Sequence, residues 1–486
     1  MLQENVLDYP ELCMYIDGEW IGREGRDTQP VVDPATGGVL AHLPLARAED
    51  LDRALAAAER AFESWAATPA FERGRILRRA AGLIRERAED IARTMTREQG
   101  KPLKESRIEA VFAADLIDWM AEECRRAYGR VIPARQPGWR WTAQLEPVGV
   151  VAAFSPWNFP GTSPARKMAG PLAAGCACIL KAAEETPGTA IALTRALHDA
   201  GLPPGVFNLV FGVPDQVSRH LIQSPIVKKV TFTGSTSVGK LLAAQAAAHG
   251  KPSTMELGGH APVLVFDDAD VQQAANLTAA AKFRNAGQVC VSPSRIFVQR
   301  PVYRKFLACM IDLADSQRVG NGLDEGTTMG PLANPRRLAA MHELLDDARA
   351  RGASVHCGGP GEGPGLFWRP TVVSDLPEHA RLLSEEPFGP IASIIPFDTE
   401  DEAVRRANML NYGLAAYLLT ADGDRIVRVS NRLRAGLVGV NTFALNGPET
   451  PWGGVGDSGY GREGGVEGLQ GYLTTKFISQ APLAAG

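Results

Sequence analysis

Short apolar segments alternate with helical stretches along the larger part of this chain, and they do so in two series. In the first, 148–154, 176–181, 207–210, 229–232 and 253–257 read as strands, with a helical stretch between each and the next. In the second, 262–266, 296–298, 391–397, 414–420 and 436–441 carry the same signature. A strand that passes through a helix before meeting its neighbour runs parallel to it, and parallel sheets need helices over both faces. Two series therefore predict two α/β domains, with Cys290 in the second. Ahead of them the first 127 residues read as mostly helical. Ala54, Leu55, Ala58, Phe62 and Trp65 share one stripe, and Ile76, Leu77, Ala80, Ile84, Ala88 and Ile91 another, ended by Gly100 and Pro102. Over 128–147 the pattern turns to Pro-punctuated, strand-like alternation, and Gly-Gly-Pro-Gly-Glu-Gly-Pro-Gly at 358–365 reads as an exposed loop.

Composition matters mainly for what it excludes. A length of 486 residues has room for about two to four domains and a large core. Lys and Arg number 51 against 55 Asp and Glu, so no basic surplus draws the chain to nucleic acid or an anionic membrane. No uncharged run approaches the ~18 residues of a membrane span, and 1–10 lacks the basic-then-apolar pattern of a secretory leader. A cytoplasmic protein with reduced thiols is the expectation. The seven cysteines include no CxxC pair, and Cys176 and Cys178 lie in an apolar stretch that suits a buried strand. No metal site is expected.

Three peptides hold reactive groups. Pro156-Trp-Asn-Phe-Pro160 presents Asn158, Thr254-Met-Glu-Leu-Gly-Gly-His260 presents Glu256, and Lys282-Phe-Arg-Asn-Ala-Gly-Gln-Val-Cys290 presents Cys290. A thiol, a carboxylate and a neutral amide make up the inventory for covalent attack on a carbonyl. A free thiol of pKa ~8.5 needs help to ionise near neutrality. Glu256 cannot help by charge, since a carboxylate raises a neighbouring thiol, yet it can accept a proton directly or through water. Each residue also has a plainer reading: a buried cysteine, a carboxylate at a strand end, a turn-forming asparagine. The G-x-G-x-x-G at Gly459-Tyr-Gly-Arg-Glu-Gly464 is a decoy, because it follows no strand and opens no βαβ unit. Phe232-Thr-Gly-Ser-Thr-Ser-Val-Gly239 is the better candidate, a strand running into a helix whose N-terminus can face a pyrophosphate.

In this order the three reactive peptides resemble the active-site signatures of NAD(P)-dependent aldehyde dehydrogenases, and the likeness covers nearly the whole chain. The resemblance implies two Rossmann-like parallel-sheet domains with a β-hairpin oligomerisation arm. A cofactor-binding domain would take 1–127 and 148–257, a catalytic domain 258–457, and the arm 128–147 with 468–486. A homodimer or homotetramer is implied. It makes Cys290 the nucleophile, Asn158 an oxyanion donor beside the Cys290 N–H, and Glu256 the base that hydrolyses a thioester. Relatives that pass the acyl group to coenzyme A lack that glutamate, so a free acid is the implied product. Lys167 and Glu463 match a proposed proton relay, with a plain ion pair as the alternative. Trp157, Lys181, Glu184, Gly212, Gly234, Ser235, Leu257, Glu386 and Phe388 match cofactor positions. Glu184 would meet the adenosine ribose and repel the extra phosphate of NADP, so NAD is expected over NADP.

Arg166 and Arg284 match arginines that grip the distal carboxylate in succinate-semialdehyde dehydrogenases, for which a planar guanidinium is suited. Ion pairing within the protein is the alternative. Several stretches also resemble α-ketoglutaric-semialdehyde dehydrogenases. Asn446 stands where the succinate-semialdehyde enzymes carry a serine, Trp452 replaces the Phe of Pro-Phe-Gly-Gly, and Gly456 replaces a lysine. Succinate semialdehyde is the first candidate, with 2,5-dioxopentanoate or a general aliphatic or aromatic aldehyde as alternatives. An ester hydrolase would use the same three reactive residues without redox chemistry, and the cofactor peptides argue against it.

Overall fold

The computed structural model describes residues 9–482; 1–8 and 483–486, which belong to the expected first domain and arm, lie outside the described residues. The first series forms the centre of an eight-stranded sheet. Val150–Phe154 lies between Ala177–Lys181 and Val227–Thr233, with Phe207–Val210 and Ser253–Glu256 outside them, all parallel. Three of these strands, Val150–Phe154, Ala177–Lys181 and Phe207–Val210, are buried along their whole length. That is the mark of a sheet covered on both faces. Helices Ala48–Ala67, Ala70–Glu86, Ala88–Gln99 and Leu103–Glu123 share its hydrophobic core.

The N-terminal segment departs from the helical expectation. Met14–Ile16 and Glu19–Ile21 form a hairpin that adds two antiparallel strands to that sheet, and Thr28–Val32 pairs separately with Val39–Pro44. Such short strands offer too few residues for alternation to register. At the opposite edge Gly459–Tyr460 pairs antiparallel with Ser253–Glu256, setting Gly459 opposite Glu256. The decoy glycine peptide is thus an edge strand, and among the described residues the one helix after it is the six-residue Gly465–Gln470.

The second sheet has seven strands, in the order Ser354–Pro360, Trp368–Ser374, Ile391–Phe397, Pro293–Gln299, Ala261–Val265, Ala415–Leu419 and Leu437–Val440. All pairs are parallel except the first. Ser354–Pro360 and Trp368–Ser374 have no counterpart in the sequence reading, and the former takes in Gly358, Gly359 and Pro360 from the expected loop. Glycine and proline at an edge strand hide the signal there. Leu473–Gln480 pairs residue for residue with Arg140–Pro147, which also pairs with Arg130–Ile132. This three-stranded sheet leaves Val131 and Phe477 exposed. No described helix is long and apolar enough to cross a membrane.

Sheet topology places the site. Lys181 and Glu256 are the last residues of their strands, Gly234 and Ser235 follow Val227–Thr233, and Asn158 follows Val150–Phe154. All gather at the carboxyl ends of parallel strands, where open α/β sheets bind ligands.

Candidate active site

After Val150–Phe154 the chain turns through Ser155–Pro160 into helix Thr162–Ala174, whose first residues have no side-chain cap of their own. Glu109, from Leu103–Glu123, accepts the N–H groups of Gly161 and Thr162 at 2.9 and 3.1 Å. Lys101 pairs with Glu109 at 2.5 Å and donates to the Asn158 carbonyl at 2.9 Å. Asn158 is buried, and its Nδ2 donates to the Gln288 carbonyl at 3.1 Å.

The loop carrying Cys290 leaves helix Val271–Phe283 through three left-handed residues, Asn285 (φ 49°), Ala286 (φ 52°) and Gly287 (φ 70°). A Cβ on Gly287 would sit 2.2 Å from the Gly389 carbonyl oxygen, so glycine is required on both counts. Cys290 is half-buried, and burial, followed by the Glu386 and Glu256 carboxylates, pushes its thiol up to about 12 against the opposing charge of Arg166. Glu256 is buried with neither carboxylate oxygen hydrogen-bonded to protein. Burial, then the like charge of Glu463, raises its carboxyl well above the ordinary range, while Lys167, Arg166 and Arg462 pull the other way. Backbone comes close here as well: a Cβ on Gly453 (φ 155°) would lie 2.7 Å from Glu256 Oε1. Lys167 and Glu463 form a buried ion pair, and Lys167 also donates to Thr231 Oγ1 at 2.9 Å.

Of the expected cofactor positions, Trp157, Lys181, Glu184, Gly212, Gly234, Ser235 and Leu257 end or follow strands of the first sheet, and Glu386 and Phe388 precede strand Ile391–Phe397 of the second. Lys181 pairs with Glu184 at 2.6 Å, and the Gly212 N–H donates to Glu184 at 3.2 Å. Gly234 and Ser235 lead into helix Thr236–Ala248, whose N-terminus has no side-chain cap. Exposed Val213, Val238 and Leu241 lie on the segments around it. Leu257 packs against Gly239, where a Cβ would come within 2.1 Å of it. Glu386 accepts the Gly259 N–H at 3.0 Å, and burial pushes its carboxyl up to about 7. Phe388 meets the Trp157 ring edge-on at 5.6 Å. An open helix N-terminus for phosphate, bare apolar side chains for a base and carboxylates for ribose hydroxyls fit a nicotinamide dinucleotide.

Arg166 and Arg284 make no ion pair among the described residues. Arg166 is buried, donates through Nη2 to Asn446, and leaves Nη1 without an acceptor. Its guanidinium lies 5.0 Å from the Trp452 ring centroid. Arg284 is exposed, 5.4 Å from the Phe159 ring. Trp452 is tied to Glu463 by two backbone hydrogen bonds of 2.6 and 2.8 Å, which links this mouth to the buried ion pair. Sequence reasoning missed Gln99, Lys101, Glu109 and Phe159. Gln99-Gly-Lys-Pro102 carries the signs of a helix end, and nothing in it marks a lysine only 1% exposed.

The aldehyde dehydrogenase family model matches residues 20–478. The chain is 50% identical to 4-(hydroxymethyl)benzenesulfonate dehydrogenase TsaD1 of Comamonas testosteroni over 96% of this chain and 98% of that one. It is 42% identical to succinate-semialdehyde dehydrogenase [NADP(+)] GabD of Escherichia coli (strain K12), over 95% and 96%. A crystal structure of aldehyde dehydrogenase from Brucella melitensis biovar abortus 2308 superimposes with a TM-score of 0.96 at 42% identity, covering 99% of each chain.

Proposed function

This chain belongs to the aldehyde dehydrogenase family, and we propose that it oxidises an aldehyde bearing a distal anionic group, with succinate semialdehyde the first candidate and NAD the preferred acceptor. The observation that carries the anionic substrate is Arg166 Nη1, a buried guanidinium nitrogen with no acceptor in the protein. An unpaired buried donor is costly, and a carboxylate or sulfonate that takes two N–H bonds at once relieves that cost. The family uses NAD or NADP. The Glu184 carboxylate, already engaged with Lys181 and the Gly212 N–H, supports NAD by opposing a 2′-phosphate.

A nicotinamide cofactor would be held by Lys181, Glu184, Gly234, Ser235 and Glu386 and would supply the two-electron acceptor. Glu256 takes the Cys290 thiol proton, directly or through water, as Sγ bonds to the aldehyde carbon and the carbonyl π pair moves onto oxygen, where Asn158 with the Cys290 N–H stabilises the growing charge. Burial that keeps the thiol protonated also strengthens Glu256 as a base, since a carboxylate with raised proton affinity takes a proton more readily. Once the aldehyde carbon has given up its hydrogen with the electron pair to the acceptor and the C–O double bond has re-formed, the acyl group is a thioester on Cys290. Glu256 then takes a proton from water, which attacks the acyl carbon and expels the Cys290 thiolate, releasing the acid. Lys167 and Glu463 stand behind Glu256 to pass that proton on. The exposed arm of Arg140–Pro147 and Leu473–Gln480 is assigned to contact with a second copy, in a dimer or tetramer.

A second reading is an aromatic aldehyde with an acidic substituent. It is favoured by the rings of Trp452 and Phe159 under the two arginines and by the similarity to TsaD1. The test is reduced-nicotinamide absorbance with succinate semialdehyde, 2,5-dioxopentanoate, 4-formylbenzenesulfonate, a neutral aliphatic aldehyde and benzaldehyde, each with NAD and NADP. Equal kcat/KM on neutral and anionic aldehydes of similar size removes the anionic assignment.

A further inference from the structure

The asparagine that is to hold the aldehyde oxygen does not orient itself. A side-chain amide nitrogen has two hydrogens, and Asn158 Nδ2 uses one of them on the Gln288 carbonyl at 3.1 Å. With one N–H anchored, the planar group is held in one orientation and the other N–H is left for a ligand. The aim of Asn158 therefore depends on two carbonyls, its own and that of Gln288. Asn285 Nδ2 donates to both, at 2.9 Å to the Asn158 carbonyl and 3.3 Å to the Gln288 carbonyl. Gln99 Nε2 donates to Asn285 Oδ1 at 2.8 Å, which fixes which end of the Asn285 amide faces the carbonyls. Gln99 Oε1 in turn accepts the Lys101 N–H at 3.0 Å, and Lys101 Nζ reaches the Asn158 carbonyl from the other side.

Backbone geometry supports the same arrangement. Asn285 is left-handed (φ 49°), a conformation asparagine tolerates better than most residues, and its N–H is taken by Glu105 at 3.0 Å. Gln288 Nε2 closes the turn onto the Asn285 carbonyl at 3.0 Å. Gln99, Lys101, Asn285 and Gln288 are each 1% exposed or less. A solvent-free network this fully paired holds a single geometry.

We propose that Asn285, oriented by Gln99, is a positioning residue for the reaction, bridging the Asn158 and Gln288 carbonyls so that the free Asn158 N–H is presented to the aldehyde oxygen. The proposal rests on Asn158 being the oxyanion donor. It also gives the helical segment before residue 127 a part in the chemistry, because Gln99 and Lys101 come from the junction between Ala88–Gln99 and Leu103–Glu123.

The test compares Asn158→Ala, Asn285→Ala and the double variant in single-turnover reduction of NAD by succinate semialdehyde. Each is also alkylated at Cys290 with iodoacetamide, a displacement in which no oxyanion forms. Asn285→Ala is expected to slow the NADH burst by about ten- to a hundredfold, below the ~10²–10³ for loss of an oxyanion donor itself. Its alkylation rate should match the wild type, and the double variant should be no slower than Asn158→Ala. Multiplying rate losses in the double variant, or alkylation falling in step with the burst, overturns the proposal in favour of general support for the loop. A wild-type burst in Asn158→Ala instead overturns the oxyanion assignment beneath it. Should Asn285→Ala fail to fold, Gln99→Ala takes its place in the same cycle against Asn158→Ala: a non-multiplying loss with normal alkylation upholds the proposal, and multiplying losses overturn it.

Discussion

Around Asn158 and Gln288 the protein pairs its buried side-chain polar atoms with one another, whereas at Arg166 and Glu256 it leaves them over. None of Gln99, Asn158, Asn285 and Gln288 has an unpartnered buried polar atom, but both oxygens of Glu256 and one nitrogen of Arg166 do. The cost of an unpaired buried group is about 1–3 kcal/mol, more when charged, so such groups persist where something else completes them. The scaffold is complete by itself, whereas Arg166 and Glu256, which we propose meet substrate and water, would be completed only during the reaction. Variants in the two regions should therefore fail differently.

The largest effect is expected at the reaction centre. Cys290→Ala should abolish both burst and turnover. Glu256→Gln should reduce about one NAD per site and then stall as the thioester, seen by rapid mixing and by mass of the acylated chain. Wild-type steady turnover in Glu256→Gln would remove the base assignment. The raised carboxyl of Glu256 adds a pH signature. Because it stays protonated above the ordinary carboxylate range, the fraction able to accept a proton, and with it deacylation, should climb as pH rises through its elevated value. Stability moves oppositely: a group with a raised folded-state pKa contributes below its unfolded value and loses that contribution as pH rises through the folded one. Glu256→Gln should flatten both profiles, and a pH–rate curve for acyl release unchanged by the substitution would break the assignment.

Next come the arginines. Removing one charge-assisted hydrogen bond, in Arg166→Gln or Arg284→Gln, should cost ~1.5–3 kcal/mol, or about 10- to 200-fold in kcat/KM, on anionic aldehydes and little on neutral ones. Arg284 is the cleaner probe, because it is exposed and makes no ion pair among the described residues, so folding should survive. Thermal unfolding measured alongside separates a specificity effect from a structural one. Equal losses on neutral and anionic substrates in a well-folded variant would count against the anion site.

Smaller again is the cofactor effect. Glu184→Ser removes a carboxylate paired with Lys181 and so frees that lysine for a 2′-phosphate. The NAD over NADP preference should narrow by about ten- to a hundredfold, on ~1.5–3 kcal/mol for hydrogen bonds to charged groups. A ratio of kcat/KM values that does not move takes Glu184 out of the site.

The same division explains what the sequence disclosed. The peptides around Cys290, Glu256 and Asn158 stood out in the sequence by their reactive residue types and by Gly287, while the roles proposed for them came from the resemblance to aldehyde dehydrogenases. Strands such as Phe207–Val210 and Ile391–Phe397 matched expectation because strands buried on both faces are continuous apolar runs. Met14–Ile16 escaped because three residues show no period, and Ser354–Pro360 because its glycines and proline imitate a loop. The scaffold around Asn158 escaped for another reason. Gln99, Lys101 and Asn285 matter through contacts between segments far apart in the chain, and no local pattern records which carbonyl a buried amide will meet.

The smallest expected effect tests the mouth where it is least conventional. Asn446 lies on an exposed loop and accepts a hydrogen bond from Arg166 Nη2, so one of the two outer guanidinium nitrogens is already engaged before substrate arrives. A serine has a shorter reach, and in Asn446→Ser that nitrogen should be released to pair with the substrate together with Nη1. Two-point pairing favours a planar carboxylate, whereas a sulfonate presents three oxygens and can meet a single nitrogen in more orientations. Replacing one exposed hydrogen bond is a matter of about 0.5–1.5 kcal/mol, hence roughly two- to tenfold. Asn446→Ser should therefore raise kcat/KM for succinate semialdehyde relative to 4-formylbenzenesulfonate by that amount, with the burst amplitude unchanged. A shift of the opposite sign would mean that Asn446 itself, not the arginine it holds, contacts the carboxylate.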